Sequence, residues 1–204
     1  CEKKMFEWQS TFKDGKRTDF DKQTKGFEFF QDENKKNKVV LAYNYLSVES
    51  REYETYEQFS SMANDTIKLL MEFCNVSQII RLGLRYINQI KLPRGNPFSW
   101  NTYLDSSLTT NVAKFYGGKE SLARAMSQLI VVFEAYKMNY NYGFYNSEYP
   151  GKISRKEFAL DFDCYTQDVG IGECEKYLTI FNNKITEYFE GYIKDGLRTI
   201  MGEK

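Results

Sequence analysis

The chain has 204 residues, 42% hydrophobic and 17% aromatic, with 28 Lys and Arg matched by 28 Asp and Glu and no histidine. That is ample apolar material for one domain or two small ones sharing a core, and the zero net charge excludes a whole-molecule field drawing it to nucleic acid or anionic membrane. Without histidine, Ser-His and Cys-His nucleophilic pairs, imidazole metal ligands and histidine general bases are excluded together.

The four cysteines, Cys1, Cys74, Cys164 and Cys174, contain no Cys-x-x-Cys pair. They read as free thiols in a reducing compartment, not as a metal site or disulfide framework. Cys1 is also the position a processed lipoprotein would lipidate, and a chain opening on it fits a fragment; the free thiol is the preferred reading. No apolar run approaches the roughly 20 residues of a membrane helix, so the sequence predicts a cytoplasmic protein that stays out of the membrane.

Residues 1–25 are basic and polar with Phe6, Trp8 and Phe12 embedded, which predicts one irregular strand and a loop around Asp14-Gly15-Lys16. A hairpin follows, its strands Gly26 to Gln31 and Lys38 to Val48 flanking a polar turn at Asp32 to Asn37. Lys35, Lys36 and Lys38 read as a solvated loop tip, with contact to phosphate or an acidic partner as the functional alternative. Thr55 to Asn75 is the clearest helix: Phe59, Met62, Ala63, Thr66, Leu70 and Phe73 recur at helical spacing, and Thr55 with Gln58 makes a capping box.

The stretch Ile79 to Ile90 predicts a strand with one apolar face, Ile80, Leu82, Leu84, Tyr86, Asn88 and Ile90, and one carrying Arg81, Gly83 and Arg85. Glycine in a strand interior packs nothing, so something close must occupy that gap. Pro93 to Pro97 breaks the regular structure and reads as a joint. Leu104, Leu108, Val112 and Phe115 predict a short helix ended by Gly117-Gly118. Residues 123–133 are apolar on both faces, as a central strand would be. Tyr136, Met138, Tyr140, Tyr142 and Phe144 alternate with polar residues, which reads as a core face; the same tyrosines, if exposed, could stack bases or a protein partner. Glu157 to Tyr165 is a further strand, with Phe158, Leu160, Phe162 and Cys164 opposite Ala159, Asp161, Asp163 and Tyr165. A last helix runs from about Glu173 to Arg198 on a stripe of Leu178, Phe181, Ile185, Tyr188, Phe189 and Tyr192.

This order predicts an α+β fold, antiparallel sheets with helices packed on one face, in two pseudo-repeated halves of strands followed by a helix. The halves are residues 1–96, which include the Arg81–Arg85 strand, and residues 97–204, sharing one core.

Arg81, Gly83 and Arg85 make the candidate site, and Asp161 with Asp163 its counterpart. In one reading they form an internal lattice of ion pairs that fixes strand register. In the other the arginines hold a phosphate or carboxylate, with Gly83 permitting close approach. Asp161-Phe162-Asp163 also resembles the paired magnesium-holding carboxylates of nucleotidyltransferases, with Gly117-Gly118-Lys119-Glu120-Ser121 as the phosphate loop, although the two lie over forty residues apart. Tyr86 and Asn88 are structural candidates; buried, Asn88 must bond backbone, and the strand end near Pro93 is the expected place.

At Arg81-Leu82-Gly83-Leu84-Arg85-Tyr86-Ile87-Asn88 the chain resembles a sporadically distributed, functionally uncharacterised bacterial family with an Arg-x-Gly-x-Arg-Tyr-x-Asn signature. The resemblance extends through Tyr53, Tyr56 and Phe59 upstream and Leu160 to Asp163 and Phe181 downstream. It implies an additional N-terminal strand and helix, and a role in mobile-island, host-conflict or immunity systems. The expectation is a non-enzymatic binding module, a sensor or scaffold acting through a protein partner or self-association, with no cofactor or metal. The alternative is a nucleotide- or phosphate-binding protein, extending to a metal-dependent nucleotidyl enzyme, that takes a small anionic ligand at Arg81, Arg85, Asp161 and Asp163.

Overall fold

The period-two stretches become eight strands in two antiparallel four-stranded sheets, and the 3.6-period stretches become helices, giving an α+β fold. The structure is a computed structural model, described over residues 2–13, 16–31, 33–115 and 121–202. The expectations at Cys1, Asp14-Gly15, Asp32 and Gly117 to Glu120, and for the side chains of Phe6, Trp8 and Phe12, lie outside the described residues. The chain divides into two compact units, Cys1–Val76 and Ser77–Lys204. The expected division at 96/97 therefore falls inside the second unit, and the Arg81–Arg85 strand belongs with the C-terminal residues because its hydrogen-bonding partner lies there.

In the first unit β1 (Glu2–Lys13), β2 (Lys16–Phe30), β3 (Asn37–Ala42) and β4 (Leu46–Ser50) form a meander. Two corrections follow. Residues 2–13 and 16–25 lie in two paired strands, a ladder with irregularities at Met5/Phe6 and Thr11/Phe12, in a sequence too polar to show alternation. The expected single strand from Lys38 to Val48 is folded back on itself, with Ala42 N donating to Tyr45 O. The Lys35-Lys36-Lys38 run is not simply solvated: Lys38 joins three strands by bridging Glu28 at 3.1 Å and Glu49 at 3.2 Å, and Lys36 pairs with Glu52. Helix α1 (Tyr56–Cys74) starts at Thr55, whose Oγ1 accepts from Gln58 N at 3.3 Å, and stops at Asn75 in the left-handed region with φ 48°. Half of the capping box forms, since the Gln58 amide turns to Glu54. Ala63 is buried and Phe59, Met62, Thr66 and Leu70 are half-buried, but Phe73 stands out of the stripe, exposed on the final turn.

In the second unit β5 (Gln78–Leu92), β6 (Ala125–Val132), β7 (Lys137–Phe144) and β8 (Lys156–Gly170) lie in the order β5-β8-β7-β6. Both units run through antiparallel strands and then a helix, but the first is a meander and the second brings its first strand beside its last. Helix α2 (Cys174–Tyr192) lays Leu178, Phe181 and Ile185 on one face of the sheet, over Leu82, Leu84, Met138, Tyr140, Leu160 and Phe162, all buried. Tyr140 stacks on Phe162 at 4.5 Å and on Tyr192 at 5.2 Å, so the tyrosine face is core.

Three expectations change here. The apolar stretch 123–133 forms an edge strand, not a central one, and the most buried strand of the sheet is β8, between β5 and β7. The last helix breaks at Ile193, which is extended and bridges Leu104, with Lys194 N bonded to Tyr103 O, before α3 (Asp195–Met201) resumes. The short helix is a pair of 3₁₀ turns, Ser106–Leu108 and Thr110–Phe115. Between Pro93 and Leu104 the chain is irregular, as expected, and buries Trp100, whose Nε1 donates to Pro97 O at 2.7 Å.

Candidate functional site

Strand alternation sends Arg81, Gly83, Arg85 and Ile87 to the sheet face opposite α2, together with Asp161, Asp163 and Tyr165 on β8, Asn139 and Asn141 on β7, and Gln128, Ile130 and Val132 on β6. The structure thus brings all five predicted site residues together. The arginines are four residues apart and the aspartates two, so the pairs form on diagonals. Arg85 lies opposite Asp163 yet reaches Asp161, with Nε to Oδ1 and Nη2 to Oδ2 both at 2.7 Å, a two-point fork. Arg81 lies opposite Gln167 and leans the same way to reach Asp163 with Nη2, at 3.1 and 2.9 Å.

Gly83 is what makes the second reach possible. A methyl there would sit 2.9 Å from Arg81 Nη1. The guanidinium crosses the glycine and rests over the ring of Tyr165, the residue directly opposite Gly83, at 4.5 Å. The gap therefore serves a side chain of the same strand, not the approach of a ligand. Asn139 and Asn141 donate to Asp163 and Asp161 at 3.4 Å from the far side, completing a lattice across three strands. The fork to Asp161 holds the Arg85 guanidinium above its ordinary range. Both arginines still present about half of their side-chain surface, 48% and 54%, to solvent, whereas Asp161 and Asp163 are largely covered.

Tyr86 points to the other face and donates to Asn182 Oδ1 of α2 at 3.0 Å, tying helix to sheet. Asn88 does bond backbone, but its partner is Leu160 O, at 3.4 Å on the residue directly opposite, instead of the strand end near Pro93. No three His, Cys, Asp or Glu side chains gather as a metal site would need among the described residues. Asp161 and Asp163 spend their oxygens on arginine and asparagine, which leaves the nucleotidyltransferase likeness without a third acid there.

No family model, curated protein or solved structure matches the chain.

Two features of the second unit escaped the sequence reading. One is the outer edge of β6, where Met126, Leu129, Ile130 and Val132 are exposed on both faces of the strand. Its signal was the run Ala-Met-Ser-Gln-Leu-Ile-Val-Val, as compatible with an unguarded edge as with a covered centre. The other is a cleft of about 520 Å³ at the end of the β5–β8 ladder, lined by Lys91, Arg94, Arg155, Lys156 and Glu157. Its signal was Lys156, a lysine in register with Phe158 and Leu160 on the apolar face. Cys74, Cys164 and Cys174 are free thiols, and burial pushes the Cys164 thiol up to about 12. Among the described residues no helix is long and apolar enough to cross a membrane.

Proposed function

We propose that the chain is a non-enzymatic interaction module that associates with a second copy of itself by adding strands at β6. The observation that carries this reading is the contrast between the two edges of the second sheet. β5 bears Arg81, Arg85 and Lys91, the charged guards that keep sheet edges from pairing. β6 is eight residues without a charge or a proline, and its outer backbone groups have no strand partner among the described residues. Antiparallel pairing of two β6 strands about a two-fold axis is self-complementary and covers Leu129, Ile130 and Val132 of both copies.

The paired state of Arg81 and Arg85 supports the same reading, since their charge is already answered by Asp163 and Asp161. The free thiols favour a reducing, cytoplasmic setting. The family resemblance extends the module to a sensor or scaffold in a bacterial defence or mobile-island system. Sedimentation velocity over a micromolar concentration series tests the core of the proposal. A dimer is expected for the natural chain and a monomer with unchanged circular dichroism for Ile130→Lys with Val132→Lys, both being solvent-facing in the single chain. A natural chain that stays monomeric throughout the series would sink the reading.

A further inference from the structure

The cleft at the end of the β5–β8 ladder carries four cationic side chains and one carboxylate. The carboxylate is spent: Glu157 accepts from Ser147 N and Ser147 Oγ, both at 2.8 Å. Arg155 is answered from outside the cleft by Glu148, at 2.9 Å from Nε and 2.8 Å from Nη2. Lys156 is different. It is only 8% exposed, yet no acceptor lies within hydrogen-bond distance of its ammonium among the described residues, which instead faces the rings of Tyr103 at 4.6 Å and Trp100 at 5.5 Å. Ring faces attract a cation but do not accept its protons as an oxygen does, and a buried charge ordinarily has a partner.

A glycine turn passes close to that amine. Gly95, with φ +108°, carries the Pro93–Gly95 turn past Lys156, and a methyl on Gly95 would stand 3.4 Å from its Nζ. Arg94, in the same turn, has no carboxylate within ion-pair distance among the described residues, and Lys91 lines the same cleft from its position opposite Glu157 in the ladder. Burial pushes the Lys156 ammonium below the ordinary lysine range, a penalty that an anion in the cleft would offset.

We infer that this cleft is an oxyanion site, in which Lys156 and Arg94 hold a phosphate or comparable small oxyanion group of a ligand. The site is separate from the Arg81–Arg85 lattice and from the β6 edge, so it does not depend on self-association. Lys156 contributes a fixed, desolvated ammonium, Arg94 a planar fork from the rim and Lys91 a further positive charge.

Isothermal titration of the full chain with inorganic pyrophosphate, repeated with citrate, tests it and separates phosphate from carboxylate recognition. Saturable one-site binding is expected, with affinity reduced about tenfold or more in Lys156→Met and in Arg94→Ala, as loss of a charge-assisted hydrogen bond implies. Lys156→Met replaces a buried cation with an apolar chain of similar length; Arg94 lies on an exposed turn, so its variant keeps the test valid if the first disturbs folding. Absence of saturable binding to either anion, or equal binding by the natural chain and both variants, overturns the assignment. So does loss of binding in Arg81→Ala with both cleft variants unaffected, which would put the anion on the lattice.

Discussion

Arg81 and Arg85 look equivalent in the sequence, but their surroundings give them different weights. Asp161 is buried and takes a two-point fork from Arg85, whereas Arg81 reaches Asp163 with one nitrogen from a half-exposed position. Removing Arg85 strands a covered carboxylate, so Arg85→Ala should cost about 1–3 kcal/mol, and Arg81→Ala no more than about 1 kcal/mol. Urea denaturation of the two variants checks the order; equal losses would mean the lattice acts as one unit. Tyr140 offers the opposite sign. Its ring is fully buried between Phe162 and Tyr192, its hydroxyl finds no acceptor among the described residues, and burial raises its ionisation far out of the ordinary tyrosine range. Tyr140→Phe removes an unsatisfied polar atom while keeping the stack, and is expected to leave stability unchanged or raise it by about 1 kcal/mol, read as a higher Tm. Face membership at this scale was legible from alternation, since a period of two assigns every side chain to one side. The filling of Gly83 and the bond of Asn88 were not, because both depend on which residue of β8 stands opposite, and register is a property of two strands together.

Helix α1 shows how far a local signal reaches. Its first and last residues follow from Thr55 and Asn75, a cap and a left-handed stop, which act within one turn of chain. Its burial does not: only Ala63 is fully covered, while Phe59, Met62, Thr66 and Leu70 are half-buried, so the loss of an end is not masked by a deep core. Thr55→Ala is therefore expected to cost about 1 kcal/mol, and Thr55→Asp to restore it by accepting the same Gln58 N–H; the midpoint of thermal unfolding reads both. By contrast α2 is anchored by Phe181, and no cap bond holds its start. The break at Ile193 had no local signal, because it is imposed by the bridge to Leu104, nearly ninety residues earlier. The same distance effect misplaced residues 125–132: apolar residues on both faces fit a covered strand and a bare edge alike, and only the pairing of β7 with β8 decides between them.

At the level of the chain, the zero net charge conceals local ion pairs whose acid dependence has a definite sign. The Lys38 ammonium, with Lys3, holds Glu28 below the ordinary glutamate range, and the Ser107 hydroxyl and backbone N–H hold Asp105 below the ordinary aspartate range. A depressed carboxyl contributes stability that is complete above its unfolded pKa and disappears as pH falls through the folded one, so the first unit should weaken below about pH 4.5 and the second below about pH 3.8, both remaining level near neutrality. The division of labour between units can be tested further. No ladder joins the two sheets among the described residues, and the buried residues Met138, Tyr140, Phe158, Phe162, Phe181 and Leu197 all belong to Ser77–Lys204. A cut at residue 96, at the proline-rich break, would part β5 from β8 and leave Leu82 and Leu84 without the strand they pack beside, because the break is a local signal and the pairing is not. Residues 77–204 expressed alone should accordingly fold, with a cooperative melt and an intact near-ultraviolet signal from Trp100, whereas residues 97–204 should not. If the longer fragment melted without cooperativity, the second unit would owe its stability to the first, and the chain would be one folding unit despite its two sheets.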